Sequence, residues 1–127
     1  MAPELDQGFD PDTLPALRAN VLIQACRAGL PESRARDVVL AIHELAANVI
    51  RHGAGAGRLR IWKLARELCC QVDDGDPPPA GEPAGSASSS LPSGPGHGLW
   101  LVRQVADWVL VTSGPGGTRV KVAFSLC

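Results

Sequence analysis

Polar and apolar positions along this chain follow two periods, and the change from one to the other divides it into elements. Leu14, Leu17, Val21, Ile23 and Ala25 supply an apolar side at helical spacing, which predicts a helix from a candidate cap at Thr13 to about Ala28. Gly29 and Pro31 stop it. A second helix starts over Pro31 to Arg34, with Ser33 as candidate cap. Its apolar stripe, Val38, Ile42, Leu45 and Val49, falls at i, i+4, i+7 and i+11. Gly53, Gly55 and Gly57 end that helix in a turn. The period then drops to two. "RLRIWKLA" (58–65) and "RELCCQV" (66–72) read as strands joined by a tight turn near Ala65 and Arg66. Helical spacing returns in "HGLWLVRQVADW", from about Gly98 to Ala106. "WVLVTS" and "TRVKVAFSL" are strands, joined by the turn "GPGG". Met1–Asp12 is an arm or a short edge strand.

The last two strands, with so short a turn, form an antiparallel hairpin. The order of helices and strands predicts an α+β fold. It is a two-layer α/β sandwich with one mixed, mostly antiparallel sheet and helices on one face. Between the halves lies "GDPPPAGEPAGSASSSLPSGPG", Gly75 to Gly96, with almost nothing to bury. Ordering each residue costs about 1–2 kcal/mol of backbone entropy, and no apolar burial offsets it here. Such a segment is a linker or a lid. Gly98–Cys127 is too short for a second domain, so the expectation is one domain over 1–127 with a lid over 75–96.

Composition narrows the function classes. The 127 residues are 45% hydrophobic but only 4% aromatic, so the core is mostly aliphatic, with Trp62, Trp100 and Trp108 as the largest anchors. A net charge of −1 gives no bulk attraction to nucleic acid or an anionic membrane. The apolar runs are too short to span a bilayer. Met1–Asp12 is acidic and lacks the apolar core of a signal peptide, so the expected location is cytoplasmic. Cys26, Cys69, Cys70 and Cys127 contain no CxxC spacing, and no pair of histidines has zinc-ligand spacing. Adjacent Cys69 and Cys70 on a strand point to opposite faces, so reduced thiols are expected.

The second helix carries an unusual polar face in "HELAANVIRHG", His43 to Gly53. Glu44, Asn48 and Arg51 lie at i, i+4 and i+7 and share one side, with His52 one residue round. An amide oxygen can ligate Mg²⁺, a guanidinium can meet a phosphate, and a carboxylate can hold a hydroxyl for attack. A solvated face with a Glu–Arg pair has the same pattern. His43 reads as a partly exposed or core-edge histidine. The HExxH motif of zinc proteases is excluded, because position 47 is Ala. Two further signals follow. "VDDGD" (72–76) ends a strand with a carboxylate two residues before a glycine, which lets a flat ring approach the backbone. "GPGHGL" (94–99) opens a helix with exposed backbone N–H groups, a ready anion site. Neither a P-loop nor a dinucleotide fingerprint fits "GPGHGLW": no strand leads directly into it and no Lys-Ser/Thr follows.

Taken in order, "HELAANVIRHG", "VDDG", "GPGHGL" and "GGTRVKVAF" resemble the boxes of the Bergerat-fold, histidine-kinase-like ATPases. Within that superfamily the chain resembles the bacterial anti-sigma regulatory serine/threonine kinases, from Thr13 onward. The resemblance implies ATP and Mg²⁺ as cofactors. It implies Asn48 as the metal ligand and Glu44 as the catalytic base toward a serine or threonine hydroxyl. Asp73 would accept a hydrogen bond from the adenine amino group, Gly75 would let the base pack close, and Thr118 would lie near Asp73. Gly96, Gly98 and Leu99 would offer backbone amides to the phosphates, and Arg51 matches an often basic, phosphate-facing position. The implied activity is phosphorylation of an anti-sigma antagonist, sequestration of a sigma factor, or both, with a homodimer as a common arrangement. The alternative is a non-catalytic nucleotide- or protein-binding module. Two positions depart from the family pattern: Pro77 and Trp100 stand where glycines are usual. The lid also holds no Lys or Arg. Nucleotide binding is therefore implied more firmly than phosphate transfer.

Overall fold

The structure is a computed structural model that describes residues 3–75, 99–114 and 117–126. In chain order the elements are β1 (Leu5–Phe9), α1 (Leu14–Arg27), α2 (Glu32–His52), β2 (Gly57–Leu64), β3 (Glu67–Asp74), α3 (Leu99–Val105), β4 (Trp108–Gly114) and β5 (Gly117–Ser125). The expected arm is thus an edge strand. The five strands form one sheet in the order β1-β2-β3-β5-β4. Every pairing among them is antiparallel, so the sheet is not mixed as expected. The two-layer sandwich stands, with the three helices against one sheet face.

The alternation of β2, β3 and β5 builds that face. Leu59 and Ile61, Leu68, Cys70 and Val72, and Val120, Val122 and Phe124 point toward the helices and are buried. Leu17, Val21 and Ala25 of α1 meet Val38, Ile42 and Leu45 of α2, and Leu99 and Val102 of α3 close the core. Each fully buried large aliphatic side chain contributes about 1.5–3 kcal/mol by leaving water. Ile23, assigned above to the apolar side of α1, is 51% exposed, because a spacing of four from Leu17 to Val21 to Ala25 turns it outward. The tryptophans are not anchors either. Trp62 is half-buried, and Trp100 and Trp108 are exposed, so the aromatic content of the core is Phe9 and Phe124.

Helix starts differ in detail from the expectation. α1 begins after Thr13, whose side chain caps no helix N–H; its Oγ1 instead accepts from the Asp10 N–H, while Asp10 Oδ1 takes N–H bonds from Asp12 and Thr13. α2 begins directly after Pro31 without a side-chain cap, so Ser33 lies inside the helix. At the far end of the sheet Arg34 joins α2, the end of α3 with the Asp107 turn, and β5. Its guanidinium donates to the Val105 carbonyl and to the Asp37 and Asp107 carboxylates, and it lies 5.1 Å above the Phe124 ring. Asp107 also accepts from the Ser125 N–H at 2.7 Å. That backbone bond, and then Arg34, hold the Asp107 carboxyl below the usual carboxylate range. No helix among the described residues is long and apolar enough to cross a membrane.

Candidate functional site

α2 supplies the polar face. Its apolar stripe is pinned to the sheet and to α1, which fixes the rotation of the helix and so the direction of Glu44 and Asn48. Asn48 is 3% exposed, one of three buried polar or charged residues, with Gln71 and Asp73, among those described. A solvated helix face would not bury an amide, so that simpler account of the pattern fails at this position. Glu44, one turn earlier, keeps 23% of its side chain exposed. Arg51 and His52 are exposed in the last turn, where cations also suit the negative end of a helix.

The chain leaves α2 through a tight glycine turn. The N–H groups of Gly53 and Gly55 both donate to the Val49 carbonyl, at 3.0 and 3.1 Å. This wraps residues 53–57 round the end of β3. Asp74 Oδ1 accepts from the Ala54 N–H at 2.7 Å. A Cβ on Gly53 would overlap the Asp74 carboxylate, so any larger residue here displaces that side chain. Gly75, at φ +75°, donates to the Ala56 carbonyl at 2.9 Å. From the other side Gly117, at φ +106°, brings the start of β5 so close that an added Cβ would lie 2.9 Å from the Asp74 carbonyl oxygen.

The sequence spacing points to Asp73 as the ligand carboxylate, and the pleat puts Asp73 and Asp74 on opposite faces of the sheet. Val72 faces the helices, so its neighbour Asp73 must face the opposite side. There Asp73 is 2% exposed and fully engaged. Its Oδ1 accepts from Arg119 Nε and its Oδ2 from Gln71 Nε2, both at 2.8 Å. Asp74 shares the face of Leu68, Cys70 and Val72, toward α2. Among the described residues only Ala54 donates to its side chain. The same parity governs Thr118. It lies on the face of Val120, so it is across the sheet from Asp73 and level with Asp74. The signal was present in the sequence, since the apolar set of this strand continues 68, 70, 72 to 74.

Leu99 begins α3, and its side chain is a core residue with no exposure. Gly96 and Gly98, and the segment beyond Gly75 expected as a lid, lie outside the described residues. Cys70 is in the core and Cys69 half-buried on the opposite face, the divergence expected of adjacent strand residues. Burial raises both thiols, and beside Cys69 the Glu67 charge adds to this while Lys121 opposes it.

Helices on one face of an antiparallel sheet, with a buried amide on the central helix and a carboxylate–glycine turn at the adjacent strand end, define a ligand-binding two-layer sandwich. The sequence comparison specifies which kind. Residues 9–124 match the histidine kinase-like ATPase domain, and the chain belongs to that family. No curated protein matches it significantly. Membership implies ATP as the ligand, usually with Mg²⁺. The residues present fit both. Among the described residues no group of three His, Cys, Asp or Glu could hold a metal unaided. A buried amide therefore suits a cation whose remaining ligands are phosphate oxygens and water.

Proposed function

We propose that this protein is an ATP-binding regulator that transfers phosphate to a serine or threonine hydroxyl of a partner, by its resemblance an anti-sigma antagonist. Sequestration of a sigma factor is the companion activity. The observation that carries the reading is Asn48, buried on α2 one turn beyond the half-buried Glu44, with the end of the same helix tied through Ala54 to Asp74. Asp74, rather than Asp73, accepts the adenine amino group, and Gly75 lets the ring lie against the backbone. Thr118 borders the same end. Asn48 holds Mg²⁺, and Arg51 faces the phosphates from the last turn of α2. Gly96, Gly98 and Leu99 add backbone amides by resemblance.

When bound, Mg-ATP supplies the phosphoryl group and most of the charge stabilisation. Glu44 orients the attacking hydroxyl and accepts its proton. The apolar packing of α2 keeps Glu44 and Asn48 in fixed relation, so little reorganisation is needed at the moment of transfer.

The test has two stages. Mg-dependent ATP binding is measured by calorimetry for wild type and Asn48→Ala, and the variant is expected to lose the Mg dependence. Unchanged Mg-dependent affinity would refute the metal assignment. Phosphate transfer to a candidate antagonist is then compared between wild type and Glu44→Ala. A second reading, nucleotide binding without transfer, is favoured by one observation: the segment 76–98 contains no Lys or Arg to meet a γ-phosphate. Tight ATP binding with no transfer to any hydroxyl partner would select it.

A further inference from the structure

We propose that Arg18 and His43 are positioning residues for Glu44, forming a chain that runs from α1 into the site. The proposal rests on the reading of Glu44 as the base.

Three observations support it. The Arg18 guanidinium lies 3.4 Å from His43 Nδ1. The other ring nitrogen, His43 Nε2, lies 3.8 Å from Glu44 Oε2. His43 and Glu44 are consecutive on a helix, where neighbours project about 100° apart and do not ordinarily face each other. Their approach therefore needs the imidazole to be turned toward the carboxylate, and Arg18 supplies the turn from a different helix.

The chemistry of the three groups fixes the direction of the chain. A guanidinium has only donors, so the Nδ1 that it meets is the acceptor nitrogen. The proton of the neutral ring is then on Nε2 and points toward Glu44. Once shortened to a hydrogen bond, that contact would engage Oε2 and restrain the carboxylate torsion, leaving Oε1 for a substrate hydroxyl. Its length, just beyond a hydrogen bond, is usual for a catalytic pair before substrate tightens it. Arg18 and His43 also line the groove between α1 and α2, with Leu22, Val39 and Leu40. They connect the outer surface of the helix layer to the base. Neither residue touches the end of α2 where Asp74 sits, so ATP affinity does not depend on them.

The experiment uses the full chain and two readouts. Long-range ¹⁵N–¹H spectra of the histidine side chains report the tautomer. Wild-type His43 is expected to show the Nε2–H form, and Arg18→Met to lose that bias. Basal Mg-ATP turnover to water is the second probe. Arg18→Met and His43→Phe are expected to lower it about tenfold, part of the roughly 100-fold or more that a positioned base supplies. Their ATP affinity stays within about twofold of wild type on the same grounds. His43→Gln retains most of the rate, because its amide can both accept from Arg18 and donate to Glu44. An Nδ1–H tautomer in wild type, or a spectrum unchanged by Arg18→Met, would overturn the proposal even if basal turnover is too slow to measure. Full turnover in His43→Phe, in a protein where Glu44→Gln is impaired, would overturn it while leaving the base assignment intact. Loss of ATP binding by wild type itself would instead defeat the underlying reading.

Discussion

On the outer face of the sheet Asp73 gives both carboxylate oxygens to protein donors, Arg119 and Gln71. On the helix-side face, one residue later, Asp74 accepts only from the Ala54 N–H among the described residues. The two side chains are chemically identical and adjacent in the chain. Their difference comes from the pleat, which sends one into a saturated ion pair and the other to the turn beneath α2. A carboxylate that is already fully hydrogen-bonded can serve structure but has little left for a ligand, whereas one with spare acceptor capacity, at the mouth of a glycine-lined turn, can serve recognition.

The sharpest way to break this comparison is to remove Asp73. Arg119 keeps 21% of its side chain exposed, so part of its charge would be rehydrated. Removing one partner of a buried pair costs about 3–5 kcal/mol, and this exposure reduces the expected loss to about 2–3 kcal/mol for Asp73→Ala. Urea unfolding measures it. The folded variant should still bind ATP within about twofold, since nothing at the α2 turn has changed. A large affinity loss with intact stability would return the ligand role to Asp73.

The reciprocal replacement, Asp74→Ala, should cost about 1 kcal/mol of stability, the worth of an exposed charged hydrogen bond. Its main effect should be on ATP, an affinity loss of about thirtyfold, or about 2 kcal/mol. Calorimetric titration of the folded variant decides between the two aspartates.

Asp107 extends the comparison to a third carboxylate, half-exposed and satisfied by Ser125 and Arg34. Its folded pKa is lowered, so its contribution to stability is present above the unfolded value of about 3.9 and is lost as pH falls through the folded one. Wild type should therefore exceed Asp107→Asn in stability at neutral pH, and the gap should narrow below about pH 4. A gap constant from neutral pH to pH 3 would mean that the contacts act through geometry alone.

The mildest probe compares the two faces without mutation. Cys69 is half-buried on the outer face and Cys70 is buried in the core. A thiol reagent should label Cys69 in the native protein and reach Cys70 only as the protein unfolds. Equal rates would show that the helix layer does not seal its side of the sheet.

Much of this was legible from the chain. The stripe of α2 gave both the buried side and the neighbouring polar side, because a helix fixes angular relations within a few residues. The strand hairpins were legible for the same reason. The face of each aspartate is contained in the alternation from Leu68 to Val72. Motif spacing, which points to Asp73, does not say which face a residue occupies.

The sequence by itself determined the local elements, the polar face of α2 and the placement of Cys69 and Cys70 on opposite sides, all consequences of short-range backbone periodicity. Tertiary structure alone decided that two of the three tryptophans face outward, that Asn48 is buried, that Asp73 is consumed by Arg119, and that Arg18 on α1 meets His43 on α2. Those outcomes depend on which surfaces distant segments present to one another. Burial and ion pairing are properties of that juxtaposition, and no period along the chain encodes them.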